Sequence, residues 1–221
     1  MAPPKLYSCL ASPCARAVEM VAKAIGLELD VESFILVDGD YLRSDLPKLN
    51  PKHTVPTMDD NGFHLWDSHP IMIYLVEKYG KGSSIYPQDL QKRALVNQRL
   101  FFDSGDLFAR HQAVMRPLMF GGADELTTRD IEFVAENYAI VEHFLEGLKF
   151  VAGNEVTIAD ISIWCSITNT STYSPVDLAK FPNIKGWYKR MEALPYASIN
   201  IEGGKAFGKL VADRLESLKK K

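Results

Sequence analysis

The sequence predicts an α+β first domain followed by an all-α second domain, and three observations predict it. Short apolar runs alternate with helical patterns as far as Gly80. The stretch Gly80-Lys81-Gly82-Ser83-Ser84 then breaks both periods. From Pro87 onward apolar residues recur at helical spacing almost without interruption. The division therefore falls at residues 1–80, a linker at 81–88, and a helical domain at 89–221.

The first domain reads in the order β-α-β-α-β-β-α. Residues 5–9 form a short apolar run suited to a buried strand, and 15–25 carry apolar side chains at helical spacing, closed by Gly26. Residues 29–36 alternate as a strand does. Residues 41–49 suggest a short helix that Asn50-Pro51 ends. Residues 55–58 and 63–66 flank the turn Asp59-Asp60-Asn61-Gly62, and Asn-Gly suits the primed turns that hairpins need. Residues 68–79 return to helical period and stop at Gly80. That order implies a four-stranded mixed sheet with helices packed on it.

In the second domain, 89–115 reads as one long helix and 123–148 as another. Thr157-Ile158-Ala159-Asp160 is a capping box, with Asp160 placed to answer free N–H groups at the start of a helix running to about residue 169. Pro182 and Pro195 bracket a further helix. The expected core of this domain is Leu100, Phe133, Val141, Phe144, Ile161 and Trp164.

Composition narrows the function classes. The 221 residues are 47% hydrophobic and 24% charged, which excludes disorder. At this length roughly 70% of the unfolded surface can be buried, so no disulfide or metal staple is needed. Net charge is −3 and neither half is basic, which argues against nucleic-acid binding. Three unspaced cysteines, Cys9, Cys14 and Cys165, suit a reduced intracellular protein better than a disulfide framework or zinc module. No apolar run is long enough to span a membrane, and Lys219-Lys220-Lys221 reads as a solvated helix end. A cytoplasmic protein without a metal is expected.

Three stretches could carry chemistry. Ala11-Ser12-Pro13-Cys14 opens the first helix, with Ser at the N-cap and Pro at a position that loses no hydrogen bond. A well-capped helix explains these residues. A sharper reading uses the same geometry as an anion site at a helix N-terminus, with the serine hydroxyl donating to a ligand's thiolate. In Asn50-Pro51-Lys52-His53-Thr54-Val55-Pro56-Thr57, Pro56 is either a turn former or the mark of an edge where the Val55 main chain is free to pair with a peptide-like ligand. In Trp66-Asp67-Ser68-His69, the acid and hydroxyl either cap the third helix or hold a substrate ammonium and carboxylate.

In this order and on this frame, the motifs resemble those of the cytosolic glutathione transferases, over nearly the whole chain. The Ser-Pro opening is similar to the arthropod delta and epsilon classes. Residues 50–57, the run Trp66-Asp67-Ser68-His69, and Tyr74-Leu75-Val76-Glu77-Lys78-Tyr79 look epsilon-like. Gln98-Arg99-Leu100-Phe101-Phe102-Asp103, and Val151-Ala152-Gly153 before the capping box, are similar to the family's long helix and capping region.

The resemblance implies a thioredoxin-like N-terminal domain, glutathione as co-substrate, and a homodimer. Ser12 would hydrogen-bond the glutathione sulfur, and Tyr41 and His53 would serve the glycyl carboxylate. Val55 would pair with the cysteinyl part beside a cis Pro56. Asp67 and Ser68 would hold the γ-glutamyl end with His69 next to them, and Asp103 would approach it from a partner subunit. The family often has His where Tyr41 stands, and some members have Arg in place of His69. The hydrophobic acceptor would meet Leu10, Leu107, His111, Met115, Leu118, Met119, Phe120 and Phe207. A Met or Phe at helical spacing is more often core, and His111 reads as a ligand-facing donor or a plain helix residue.

The energetics of such a site close without a general base. A thiol of pKa near 8.5 is about 3% ionised at pH 7. Lowering it by about two units needs about 2.7 kcal/mol. A hydrogen bond to a charged acceptor supplies roughly 1.5–3 kcal/mol and a helix N-terminus about 0.3–2 kcal/mol. The activity implied is conjugation of glutathione to hydrophobic electrophiles in detoxification, with dehydrochlorination or peroxidase chemistry as side activities. The alternatives are a non-catalytic carrier of a hydrophobic ligand, a member specialised for steroid biosynthesis, and a thiol oxidoreductase working through Cys14. Cys9 and Cys165 read as core.

Overall fold

The computed structural model describes residues 2–35, 39, 42 and 44–220. Tyr41 lies outside the described residues. The strands are β1 (Lys5–Ser8), β2 (Asp30–Ser33), β3 (Thr57–Asp60) and β4 (Phe63–Leu65). The first-domain helices are α1 (Pro13–Ala24), α2 (Leu46–Leu49) and α3 (Ser68–Tyr79). The sheet order is β2-β1-β3-β4, with β1 parallel to β2 and the other two pairings antiparallel. Leu6 lies opposite Val31 on one side and Met58 on the other, and Leu6 and Met58 are completely buried. The hairpin turn is narrower than expected, because Asp59 and Asp60 stay in β3 and only Asn61 and Gly62 turn, both at positive φ.

Helix α1 is covered almost all round: Ala15, Ala17, Val18, Met20, Val21 and Ala22 have essentially no exposed surface. Its alanines permit close approach, and it packs against α3 in its own domain. On its other side it meets two helices of the second domain, α7 (Ile158–Thr170) and α9 (Ala197–Lys219). Helix α1 therefore joins the two halves, and the turn that precedes it lies at their junction.

The remaining helices are α4 (Leu90–Phe102), α5 (Phe108–Phe120), α6 (Thr128–Phe144) and α8 (Pro182–Glu192). The expected single helix from residue 89 is interrupted, since Asp103–Leu107 form a π-helical turn between α4 and α5. Such a turn holds an extra residue and re-aims the side chains on it. Helix α6 starts later than expected, at a capping box in which Thr127 and Asp130 satisfy each other's backbone N–H. The expected box at Thr157 and Asp160 is present. Asp160 also accepts from Val151 N at 2.8 Å and Trp187 Nε1 at 3.0 Å, so it ties α7 to a loop and to α8.

Leu100, Val141, Ile161 and Trp164 are core residues, with Phe144 partly buried against them. Phe133 is not. It is 40% exposed, with the Arg110 guanidinium over its ring at 4.5 Å. Cys9 and Cys165 are buried thiols, as expected. None of the described helices is long and apolar enough to cross a membrane.

Candidate functional site

The turn after β1 is tight: Ser12 N donates to Cys9 O at 2.9 Å. Ser12 has extended dihedrals, Pro13 opens α1, and Ser12 Oγ accepts from Ala15 N at 3.3 Å. The cap uses a lone pair of the hydroxyl and leaves its proton uncommitted among the described residues. Both carbonyls before Ser12 are held from the core. Arg16 Nη1 donates to Leu10 O at 2.9 Å, and Asn169 Nδ2 donates to Ala11 O at 3.1 Å.

The loop at 50–57 is organised by Asn50, which is completely buried. Its Nδ2 donates to Thr54 O at 3.1 Å and Thr57 Oγ1 at 2.9 Å, while its Oδ1 accepts from Lys52 N at 2.9 Å. Those bonds carry the chain past His53, which is exposed and has φ of 52°. Its ring has no partner among the described residues. The Val55–Pro56 peptide is cis, as is Trp66–Asp67. Among the described residues nothing hydrogen-bonds the N–H or C=O of Val55, because β3 begins only at Thr57. A strand-like donor and acceptor pair is thus left for another chain to use.

At the start of α3, Asp67 occupies the N-cap without a side-chain capping bond. It is exposed, with Lys52 Nζ 3.3 Å away. Ser68 is buried and faces Cys14, which brings the openings of α1 and α3 together. Burial pushes the Cys14 thiol well above its ordinary range; the charge of Asp103 adds to this and Ser68 opposes it.

His69 turns away from the surface. Its Nε2 lies 2.8 Å from Ser162 Oγ and 3.2 Å from Asp103 Oδ2, and the Ser162 hydroxyl donates to that same oxygen. Asp103 is only 2% exposed. The π-helical turn packs against α7, and Asp103 at its start is drawn in against Ser162 of that helix. Its Oδ1 has no hydrogen-bond partner among the described residues.

The residues expected to line an acceptor site divide into three groups. Met115, Leu118 and Phe207 join Val114, Val134, Tyr173 and Val211 in a second core cluster that packs against Ala11, next to Ser12. His111 belongs with them: it is buried, its Nδ1 is 2.9 Å from Tyr173 OH, and its ring centroid is 5.4 Å from that of Phe207. Burial holds its imidazole down to about 3, with the positive charge of Arg16 acting the same way and Asp103 opposing. Leu107 instead lies in the main core, and with Leu118 it has no exposed surface. Leu107 closes the π-helical turn and packs there with the core. Leu10 and Phe120 are exposed and Met119 is half-buried. Phe120 lines a shallow hollow of about 370 Å³ with Gln112, Ala113, Arg116, Pro117 and Gly121.

The arrangement therefore offers a hydroxyl proton at a helix N-terminus, an unpaired main-chain edge, and a second helix N-terminus carrying a hydroxyl and a carboxylate. It can bind an extended, anionic, peptide-like ligand and lower the cost of a negative charge beside Ser12. Sequence reasoning missed Asn50, Arg16, Asn169, Asn200 and Ser162 as supports of this site. Arg16 alone carried a signal, as a charge inside an otherwise apolar helix face. No group of three or more His, Cys, Asp or Glu among the described residues is placed to hold a metal ion.

Comparison with known proteins gives the following. The model of the glutathione S-transferase N-terminal domain matches residues 11–78, and that of the C-terminal domain matches 109–195. Glutathione S-transferase D7 of Drosophila melanogaster is 43% identical over 189 residues, 83% of this chain and 82% of its own. An epsilon-class glutathione S-transferase from the housefly, Musca domestica, superposes with a TM-score of 0.91 at 38% identity, covering 96% of this chain and 98% of that one. A glutathione transferase homologue from Drosophila mojavensis, solved with bound glutathione, gives 0.92 at 40% identity over 97% of this chain and 98% of that one.

Proposed function

Because the chain belongs to the glutathione S-transferase family, as an enzyme of its arthropod delta and epsilon type, we propose that it ionises glutathione at Ser12. The thiolate is then transferred to hydrophobic electrophiles. The observation that carries this reading is the Ser12 hydroxyl itself: its oxygen caps α1 while its proton stays free to donate. On binding, the thiol proton leaves to solvent and the sulfur anion accepts the hydroxyl proton as a hydrogen bond. The sulfur then forms a bond to the electrophilic carbon, and the leaving group departs with its electron pair. With a chlorinated substrate bearing an acidic C–H, the same anion removes that proton and chloride is expelled.

The rest of the tripeptide fits the remaining groups. The Val55 N–H and C=O pair with the cysteinyl main chain beside Pro56. Asp67 and Ser68 take the γ-glutamyl ammonium and carboxylate, and His53 takes the glycyl carboxylate. His69, whose Nε2 is committed to Asp103 and Ser162, supports the start of α3 from behind. The acceptor lies over Ala11 against the cluster that contains His111, Met115 and Phe207. Cys14 is an inert thiol in this reading, since burial suppresses its ionisation. A detoxifying role in the cytoplasm, as a homodimer, belongs to the same proposal.

The test is Ser12→Ala assayed with a general electrophile such as 1-chloro-2,4-dinitrobenzene. Turnover is expected to fall by roughly 10²-fold, as for loss of one donor to a developing anion, while retention on immobilised glutathione is kept. Undiminished turnover rejects the mechanism.

A further inference from the structure

Arg16 is completely buried, and none of its hydrogen-bond partners carries a charge. Its Nε donates to Asn200 Oδ1 at 3.0 Å, Nη1 to Leu10 O at 2.9 Å, and Nη2 to Asn169 Oδ1 at 2.6 Å and Cys165 O at 3.4 Å. No carboxylate among the described residues lies within ion-pair distance of it. A guanidinium keeps its proton in proteins, so a full positive charge is buried here without a counter-ion. Buried charges are ordinarily paired. The site is nonetheless built for this one: the α9 backbone at Gly203 lies so close that a Cβ there would stand 2.0 Å from Arg16 Cδ.

The charge is placed beside the catalytic turn. Arg16 follows Ser12 by one turn of α1, and its guanidinium folds back onto the carbonyl of Leu10, two residues before Ser12. Asn169, which it also grips, holds the carbonyl of Ala11, the residue next to Ser12. The titratable groups around it are few. Cys9 and Cys14 flank the turn, Cys165 faces it from α7, and Glu19 lies on the next turn of α1, hydrogen-bonded to Ser8. His111 on α5, held neutral by burial, feels its field across the domain junction. Glu19 feels this charge along α1, and at His111 the carboxylate of Asp103 opposes it, while neither carboxylate lies within ion-pair distance of the guanidinium.

We propose that Arg16 is a positioning residue for the sulfur: it fixes the Leu10–Ser12 turn and supplies the positive charge whose counter-ion is the bound thiolate. The second domain controls this charge through Asn169 and Asn200. The inference rests on thiolate formation at Ser12 and adds the source of the field.

The experiment titrates the thiolate absorbance of glutathione bound to the wild type, to Asn200→Asp and to Arg16→Gln. Asn200→Asp is nearly isosteric, keeps an acceptor for Arg16 Nε, and puts a carboxylate against the guanidinium without touching the Leu10–Ser12 turn. Its lost donor bond is the one from Asn200 Nδ2 to Thr168 Oγ1 at 2.8 Å, where α9 meets α7. Both variants are expected to raise the bound thiol pKa by about one unit, the lower end of the effect of a nearby charge. Affinity for S-methylglutathione, which has no ionisable sulfur, is expected to stay within about twofold in Asn200→Asp. A merely structural role would lower thermal stability and leave the thiol pKa in place. An unshifted pKa in folded Asn200→Asp overturns the proposal even if Arg16→Gln does not fold. A depressed wild-type pKa with unshifted variants rejects Arg16 alone, whereas an ordinary wild-type pKa rejects thiolate formation itself.

Discussion

His69 Nε2 stands 3.2 Å from Asp103 Oδ2 and shares that carboxylate oxygen with the hydroxyl of Ser162. The three residues come from α3, the π-helical turn and α7, so one buried oxygen joins α3 of the first domain to the second domain. His69→Ala leaves a buried carboxylate with Ser162 as its one donor. The expected cost is about 1.5–3 kcal/mol, the range for losing a hydrogen bond to a charged group. Urea unfolding measures it, and His69→Gln, which keeps a donor, is expected to recover part of the loss.

Gly203 sits inside α9, where alanine ordinarily stabilises a helix by about 1 kcal/mol. Here the sign is expected to reverse. The new Cβ would meet Arg16 Cδ at 2.0 Å and Leu10 O at 2.6 Å, and the second of these is backbone that cannot give way. Gly203→Ala should lower both thermal stability and turnover, because the displaced carbonyl precedes Ser12. Gly208→Ala on the same helix meets only Thr172 Cγ2 at 3.4 Å and is expected to be neutral or stabilising. Equal melting temperatures for the two variants would count against the close contact.

Much of the fold was legible because it depends on local signals. The bounds of α3 follow from helical period and Gly80, and the Thr157–Asp160 box follows from its own four residues. The start of α6 was equally legible, since Thr127-Thr128-Arg129-Asp130 is another capping box, whereas apolar periodicity alone begins the helix too early. The π-helical turn was not legible. Its residues Asp103, Ser104, Gly105 and Asp106 are weak helix formers, but that weakness does not specify a π-helical turn, and what draws Asp103 inward is contact with His69 and Ser162, some 34 and 59 residues away. The same holds for the site. Ser12, Val55 and Ser68 announce themselves through caps and Pro56, while Asn169 and Asn200 are meaningful only once α7 and α9 are folded onto α1.

His111 gives a pH dependence with a definite sign. Its folded pKa, near 3, lies below the value of about 6.5 for an unfolded histidine, so the unfolded chain takes up the proton first. Stability from this group is complete above about pH 6.5 and is lost progressively as pH falls toward 3. Between pH 6.5 and pH 5 the wild type should lose roughly 1.5 kcal/mol of unfolding free energy relative to His111→Gln. Denaturant unfolding at a series of pH values checks this; parallel curves for the two proteins would show that His111 takes up its proton equally in the folded and unfolded states.

The most direct measurement titrates the sulfur of glutathione bound to the wild type and to Ser12→Ala by its thiolate absorbance. A bound thiol ionising about two units below its free value in the wild type, and returning most of the way toward about 8.5 in the variant, is the predicted result. A sulfur that ionises at the same pH in both proteins would contradict it.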